Sequence, residues 1–449
     1  MSIKEKIVLL SPYIFQNTAI TAYNTYQYKI RHSGKYKYFR KYYSKVENFS
    51  QDKLDKEVAK KKKSFFSFVK KNSSWYKNYD FSALTSNKVL NKRDIVNNLD
   101  SIKTLSENRG LISLTGGTTG ASMKVIYTKS DLQERFAILD HFRAQHGYEL
   151  GKKTAWFSGK NLISENDINK GICSHYDFIN KIRFYSTFHI NSNNFDIYWD
   201  SLNKFSPEFI VGFPSSVYEL CQIADSRGLR IKNKVQVFFP TAETVLPKHR
   251  EVISRVLGCK LVDQYASSEG APFILECKQG RLHIHPLTGI FEVVDKDMQP
   301  SQEGEILVTS FTTHGTPLVR YRIGDSIKMA TTDLKCSCGS LFPLVERIEG
   351  RASDYILSPT HGKVNLGNIS NSTKDIKGII NFQVIQEDLS HVTILVTATK
   401  YFTNSQKKNF LAALEERFGS KMSISLKVVD EIPTEKSGKF RIVKNLLEN

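Results

Sequence analysis

Between residues 207 and 265 the chain alternates short apolar runs with helical stretches. "PEFIVGF" reads as a buried strand and "PSSVYELCQIADSRG" as a helix. "VQVFF" is strand-like, "PKHREVISRVLG" helical and "KLVDQY" strand-like again. A polypeptide patterned this way buries its apolar strands between helices, which predicts an α/β body with a largely parallel sheet. "GEILVTSF" continues the strand pattern. Upstream, "SDLQERFAILDHFRAQHG" places Leu132, Phe136, Leu139 and Phe142 at helical spacing. Ser130 is its candidate cap and Gly147 its stop, and the strand-like "KVIYT" precedes it.

The pattern changes after "RIEGRASDYI". "INFQVIQED", "HVTILVTATK", "NSQKKNFLAALEERFG" and "SISLKVVDE" read as strand, strand, helix, strand, a small α+β domain. The expected division is a basic aromatic segment packed on the main body at 1–80, a large domain at 81–350 and a small one at 351–449.

The net charge of +19 is unevenly spread. Residues 1–80 hold 18 Lys/Arg against 6 Asp/Glu, a local excess of 18 − 6 = +12. "AKKKKSFFSFVKK" interleaves lysine with phenylalanine. The first reading is a solvated helix whose aromatic residues pack on the body. The second is attachment to an acidic membrane surface. Nucleic acid is not expected as a partner, because no recognition motif accompanies the charge. No apolar run reaches the roughly 18 residues of a membrane span, and the start lacks a signal-peptide pattern. The expected location is the cytoplasm, with peripheral contact at the inner membrane surface under the second reading.

Six cysteines scattered over a chain of this length suggest reduced thiols or a metal site. "ECKQGRLHIH" and "KCSCGS" offer Cys277, His283, Cys336 and Cys338 as a tetrahedral Cys3His zinc site, with His285 as rival to His283. The alternative is three buried thiols and an unrelated histidine.

"SLTGGTTGASMK" at 113–124 gathers three glycines, hydroxyl side chains and a lysine. Such a stretch suits a loop that wraps phosphates with backbone N–H groups and hydroxyls. It matches neither the common nucleotide loop nor the dinucleotide fingerprint. It resembles the phosphate loop of adenylate-forming enzymes, which include acyl-CoA ligases and adenylation domains, through Thr115, Gly116, Gly117, Thr118, Thr119, Gly120 and Lys124. The family's proline before the lysine is absent; Ser122 and Met123 stand there.

Four more stretches follow in that family's order. "FFPTAETV" resembles its adenine-pocket segment, with Ala242 and Glu243. "DQYASSEG" resembles its Tyr-Gly-x-Thr-Glu motif, with Ala266 and Ser268 replacing glycine and threonine. The resemblance implies that Tyr265 packs on adenine and Glu269 holds magnesium. "VRYRIGD" implies Asp325 as acceptor for the ribose hydroxyls. "IEGRASDYI" implies Arg351 as a nucleotide contact at a hinge, although Ser353 stands where the family often has aspartate and Asp354 comes next. "PTEKSGKFRI" implies Lys439 as the catalytic cation of a mobile C-terminal domain.

The resemblance is to the phenylacetate-CoA ligase-like branch, which carries a zinc site of this spacing, and within it to CapK-like proteins of capsule biosynthesis. It implies a large multi-layer α/β adenylate-forming domain with a small α+β C-terminal domain. The implied reaction is ATP- and magnesium-dependent activation of a carboxylic acid, with structural zinc. The implied acceptor is the thiol of CoA or a carrier protein, or an amine on a sugar. Phe188 and His189 are candidates for the acyl pocket. The alternative function is a non-catalytic scaffold that binds adenylate or a membrane surface in a polysaccharide pathway.

Overall fold

The computed structural model describes residues 11–115, 123–159, 163–331, 334–349, 355–373, 375–432 and 442–447. The chain opens with three helices, α1 (Tyr13–His32), α2 (Tyr36–Val46) and α3 (Gln51–Asn72), followed by α4 (Lys92–Ile102). An antiparallel hairpin of β1 (Leu111–Thr115) and β2 (Met123–Tyr127) leads into α5 (Lys129–Gln145). Thr128 caps α5 rather than Ser130: its side chain accepts from the Asp131 N–H, and Asp131 accepts in return from the Thr128 backbone. The reciprocal pairing satisfies two otherwise orphaned donors, which a cap at Ser130 would not.

The predicted parallel sheet is present. Its strands are β3 (Thr154–Ser158), β4 (Ser174–Asp177), β5 (Ile182–Ser186), β6 (Phe209–Gly212), β7 (Val237–Pro240) and β8 (Lys260–Leu261). The order is β4-β5-β3-β6-β7-β8, with only β4 antiparallel. Helices α6 (Glu165–Asn169), α7 (Phe195–Phe205), α8 (Pro214–Ser226) and α9 (Pro247–Leu257) connect these strands. Phe157, Ile210, Phe238, Leu220 and Ile253 are fully buried between sheet and helices.

The chain order runs one way from β3 to β5 and the other way from β3 to β6. A crevice for a ligand is expected outside the carboxyl ends of strands at such a reversal.

A second sheet is antiparallel throughout. It comprises β9 (Gln264–Tyr265), β10 (Ile274–Glu276), β11 (Leu282–Ile284), β12 (Gly289–Val294), β13 (Glu303–Ser310), β14 (Tyr321–Met329) and β15 (Leu344–Glu349). The C-terminal region has a hairpin of β16 (Tyr355–Ser358) and β17 (Gly362–Asn365), then α10 (Leu366–Ser370). β18 (Ile379–Asp388), β19 (His391–Ala398), α11 (Asn404–Phe418), β20 (Ser423–Val428) and β21 (Val443–Asn445) follow, with strand order β20-β19-β18-β21. Phe382, Ile394, Phe410 and Leu414 form a separate buried cluster there.

This C-terminal unit rests on the carboxyl ends of the parallel sheet. Asn368 donates to the Thr187 hydroxyl at 3.2 Å, one residue beyond β5. A Cβ at Gly159, one residue beyond β3, would stand 2.2 Å from the Asn368 side-chain oxygen.

Helix α5 departs from the expected one-sided pattern. Asp131, Gln133, Glu134, Arg135, Asp140 and Arg143 are all buried on it. The N-terminal helices supply partners for three of them. Asp140 accepts from Tyr36 at 2.9 Å and lies 3.0 Å from His32 Nε2. Glu134 pairs with Lys61 and accepts from Tyr43. Gln133 accepts from the Lys35 N–H at 3.0 Å. Phe65 and Phe66 of the lysine-rich stretch are buried, in one cluster with Val125, Phe311 and Leu318.

Helix α1 also closes the free edge of the parallel sheet. Tyr13 donates to the Ser174 carbonyl at 2.7 Å, while Asn17 and Thr21 accept from the backbone N–H groups of Tyr176 and Phe178. An edge strand capped by side chains offers less backbone to a foreign strand.

Asp140→Ala is expected to destabilise the protein by about 2–4 kcal/mol, because it leaves the buried Tyr36 hydroxyl and His32 without their acceptor. The measurement is a urea denaturation midpoint, with Lys56→Ala at an exposed position as the control.

Candidate functional site

Strand β9 and the loop after it carry the "QYASSEG" residues. Tyr265 is half-buried, and its hydroxyl donates to Asp325 on β14 at 2.8 Å. Burial raises the Tyr265 pKa well above the usual phenol range, and the neighbouring Asp325 adds to the effect. It is therefore a neutral hydrogen-bond donor. Two residues from motifs sixty positions apart thus meet across the antiparallel sheet.

Glu269 lies on the loop beyond Tyr265. Its carboxylate interacts electrostatically with the buried Arg135 and with Tyr127 and Tyr265. Two residues that sequence reasoning missed fix this loop. Arg135, buried on α5, donates to the carbonyls of Gly270 and Ala271 at 3.0 Å each and to Ser267 at 3.4 Å. It also donates to the Thr312 hydroxyl at 2.9 Å. Tyr127, at the end of β2, donates to the Ser268 carbonyl at 2.9 Å. Gly270 has φ +95°, and a Cβ there would meet the Tyr127 hydroxyl at 2.6 Å. Glycine is required at 270 on both counts. The sequence hid this role, because Asp131 four residues earlier and Glu134 beside it make Arg135 look like a member of an ordinary helix-surface charge pair.

The glycine-rich stretch is framed by the hairpin. Thr115 pairs with Met123, and Leu114 with Lys124, across β1 and β2. Lys124 forms a 2.7 Å ion pair with Glu107. Gly116, Gly117, Thr118, Thr119 and Gly120 lie outside the described residues, as do Arg351 and Lys439.

Ala242 adopts φ +65°, a left-handed conformation uncommon for a residue with a Cβ. The turn delivers Glu243 to the start of α8, where its carboxylate accepts from the Ser215 N–H and hydroxyl at 3.0 Å each. Burial pushes the Glu243 pKa up to about 7, against the opposing pull of the Ser215 bonds. Phe188 and His189 are both buried. His189 Nε2 lies 3.1 Å from the Ile163 carbonyl, and its ring sits 4.7 Å from that of His361 in the C-terminal unit.

The structure gathers Cys277, His283, Cys336 and Cys338, with their ligand atoms all within 4.8 Å of one another. Cys277 Sγ stands 3.8 Å from Cys336 Sγ, and Cys338 Sγ stands 3.5 Å from His283 Nε2. A tetrahedral zinc with standard bond lengths sets sulfurs about 3.8 Å apart and a sulfur–nitrogen pair about 3.6 Å apart. His283 Nδ1 lies 3.0 Å from the Phe342 carbonyl, an outer contact that fixes the ring and turns Nε2 inward. His285 is outside the cluster, its ring against Tyr43 and Phe342.

The described helices include none long and apolar enough to cross a membrane.

Comparison with known proteins places this geometry. Two crystal structures of 2-hydroxyisobutyryl-CoA ligase share the fold. One is in the postadenylation state with R3-HIB-AMP, at a TM-score of 0.57 and 14% identity, covering 90% of this chain and 92% of that one. The other is in the thioesterification state with 2-HIB-AMP and CoA, at 0.57 and 16%, covering 90% and 91%. The chain therefore has the fold of that CoA ligase. Residues 356–446 match the family model of the CapK C-terminal domain. Protein CapK of Staphylococcus aureus is 30% identical over 450 residues, which cover 97% of this chain and 98% of that protein. On that identity over that length, the chain belongs to the CapK family.

Proposed function

We propose that the protein activates a carboxylic acid as its acyl-adenylate and then transfers the acyl group, as an adenylate-forming ligase of bacterial surface-polysaccharide assembly. The observation that carries this is the Tyr265–Asp325 hydrogen bond, beside a Glu269 loop whose backbone is held by Tyr127 at the end of a strand that frames the glycine loop.

In the first step a carboxylate oxygen of the acid attacks the α-phosphorus of ATP. The α–β phosphoanhydride bond breaks and pyrophosphate leaves. Glu269 would hold magnesium, which neutralises charge on the departing pyrophosphate. Backbone N–H groups at 116–120 with Thr115, Thr118 and Thr119 would bind the phosphates, and Lys124 would balance charge once released from Glu107. Tyr265 would offer its ring to adenine beside Ala242 and Glu243, Asp325 would accept from the ribose hydroxyls, and Arg351 would contact the nucleotide. Lys439 would bridge carboxylate and α-phosphate oxygens where two anions approach. Arg135 and Tyr127 are positioning residues, because they hold the loop carbonyls and so aim Glu269.

In the second step a thiol of CoA or a carrier protein, or an amine on a sugar, attacks the acyl carbon. The acyl–AMP bond breaks and the acceptor's proton passes to solvent. The proposed division places the large domain at 81–350 and the small one at 351–449, with residues 351–354 as pivot between the steps.

Zinc is proposed at Cys277, His283, Cys336 and Cys338. Four protein ligands close the shell, so its role there is structural. It would tie the β10–β11 turn to the segment before β15.

Acid-dependent exchange of pyrophosphate into ATP, over a panel of aryl, fatty, amino and uronic acids, tests the reading. Exchange with one class of acid is expected; its absence across all classes with ATP binding intact favours the scaffold. With a responding acid, Glu269→Gln is expected to lower exchange by about 100-fold or more. Lys439→Ala is expected to abolish exchange while sparing transfer from preformed acyl-adenylate, and equal loss of both half-reactions overturns that assignment. For zinc, elemental analysis of purified protein should find one equivalent, and Cys338→Ser should lose it together with thermal stability.

A further inference from the structure

Helix α1 carries an apolar stripe on the side away from the protein. Phe15, Ala19, Ala22, Tyr23, Tyr26 and Ile30 recur at helical spacing. Phe15, Tyr23 and Tyr26 are each more than half exposed, at 63%, 57% and 63%. An apolar helix face is normally turned to a core, and this helix has already spent its other face on one. Tyr13, Asn17 and Thr21 bond β4 and the turn after it, and His32 meets Asp140 at the far end. Anchored at both ends, α1 holds the stripe outward, so the exposure is built in. Clustered exposed aromatic residues mark a surface that meets something.

The charge carried by α1, α2 and the turn between them says what. From Tyr13 to Val46 there is no Asp or Glu, while Lys29, Lys35, Lys37, Lys41 and Lys45 are all exposed. Tyr38, 65% exposed, stands among the α2 lysines. Two copies meeting through this face would set the same lysines against each other, because a two-fold contact pairs a patch with itself. An acidic lipid surface complements it on both counts. Tyrosine and phenylalanine favour the headgroup level, and lysines favour anionic headgroups.

We propose that α1 lies on an anionic lipid surface, with Phe15, Tyr23 and Tyr26 inserted at headgroup depth and the lysines of α1 and α2 in contact with the headgroups. This differs from the lysine-rich stretch of α3, whose Phe65 and Phe66 are occupied inside the protein. The contact would hold the ligase at a membrane without any spanning segment.

The test is sedimentation of the full-length protein with vesicles of phosphatidylglycerol and phosphatidylcholine in equal parts, against phosphatidylcholine alone. Binding to the anionic vesicles only is expected, weakening as salt rises from about 50 to about 500 mM. The Phe15→Ser/Tyr23→Ser/Tyr26→Ser variant should lower partitioning by roughly tenfold or more. Lys29→Glu/Lys37→Glu/Lys41→Glu should do the same while leaving every aromatic residue in place. Unchanged melting temperatures confirm that both variants fold, as the exposure of these side chains predicts. No sedimentation, or sedimentation that both variants retain, overturns the proposal. So does analytical ultracentrifugation showing a wild-type dimer that the serine variant abolishes, which would make the stripe a contact between copies.

Discussion

The burial of charged groups on α5 is the constraint around which much of the molecule is arranged. A carboxylate or guanidinium removed from water is costly unless paired and hydrogen-bonded. Helix α5 buries Asp131, Glu134, Arg135, Asp140 and Arg143 in five turns. Each is answered by a different part of the chain. Asp140 and Glu134 draw in α1, α2 and α3. Arg135 draws in the loop of Glu269, Arg143 donates to Gln264, and Asp131 pairs with His314 at 2.6 Å. One helix therefore fixes the N-terminal helices, the β9 loop and the segment after β13 relative to one another.

That arrangement explains the composition of the N-terminus. Its tyrosines and basic residues look like a solvated or surface-seeking segment in sequence. Several are instead the donors that α5 requires, such as Tyr36, Tyr43 and Lys61. Tyrosine suits the task, since it brings a large apolar body and one hydroxyl to a buried acceptor. Lys29, Lys35, Lys37, Lys41 and Lys45 are exposed instead.

What could be read from sequence follows the range of the interaction. The alternating α/β body and the strand–strand–helix–strand close were visible, because periodicity is local. Cys277, His283, Cys336 and Cys338 were also visible, because ligand chemistry narrows the choice even across fifty-nine residues. The pairing of α5 with the N-terminus was not, since Glu134 and Lys61 carry no mark of each other. The same holds for Arg135, whose targets are backbone carbonyls of residues with unremarkable side chains. The cap at Thr128 was missed for a smaller reason: Ser130 and Thr128 are equally good in isolation, and only the position of Asp131 three residues on separates them.

Gly159 has a meaning that backbone freedom does not capture. Its missing side chain is the space into which Asn368 reaches from the C-terminal unit. Asn371 of the same unit and the Phe213 ring of the large lobe border that space too, at 3.0 and 3.1 Å from where a Cβ would stand. The contact that a methyl group at 159 would violate most is the one to Asn368, so the position acts as a spacer whose thickness is zero. Sequence change there would register in how the two halves of the protein meet.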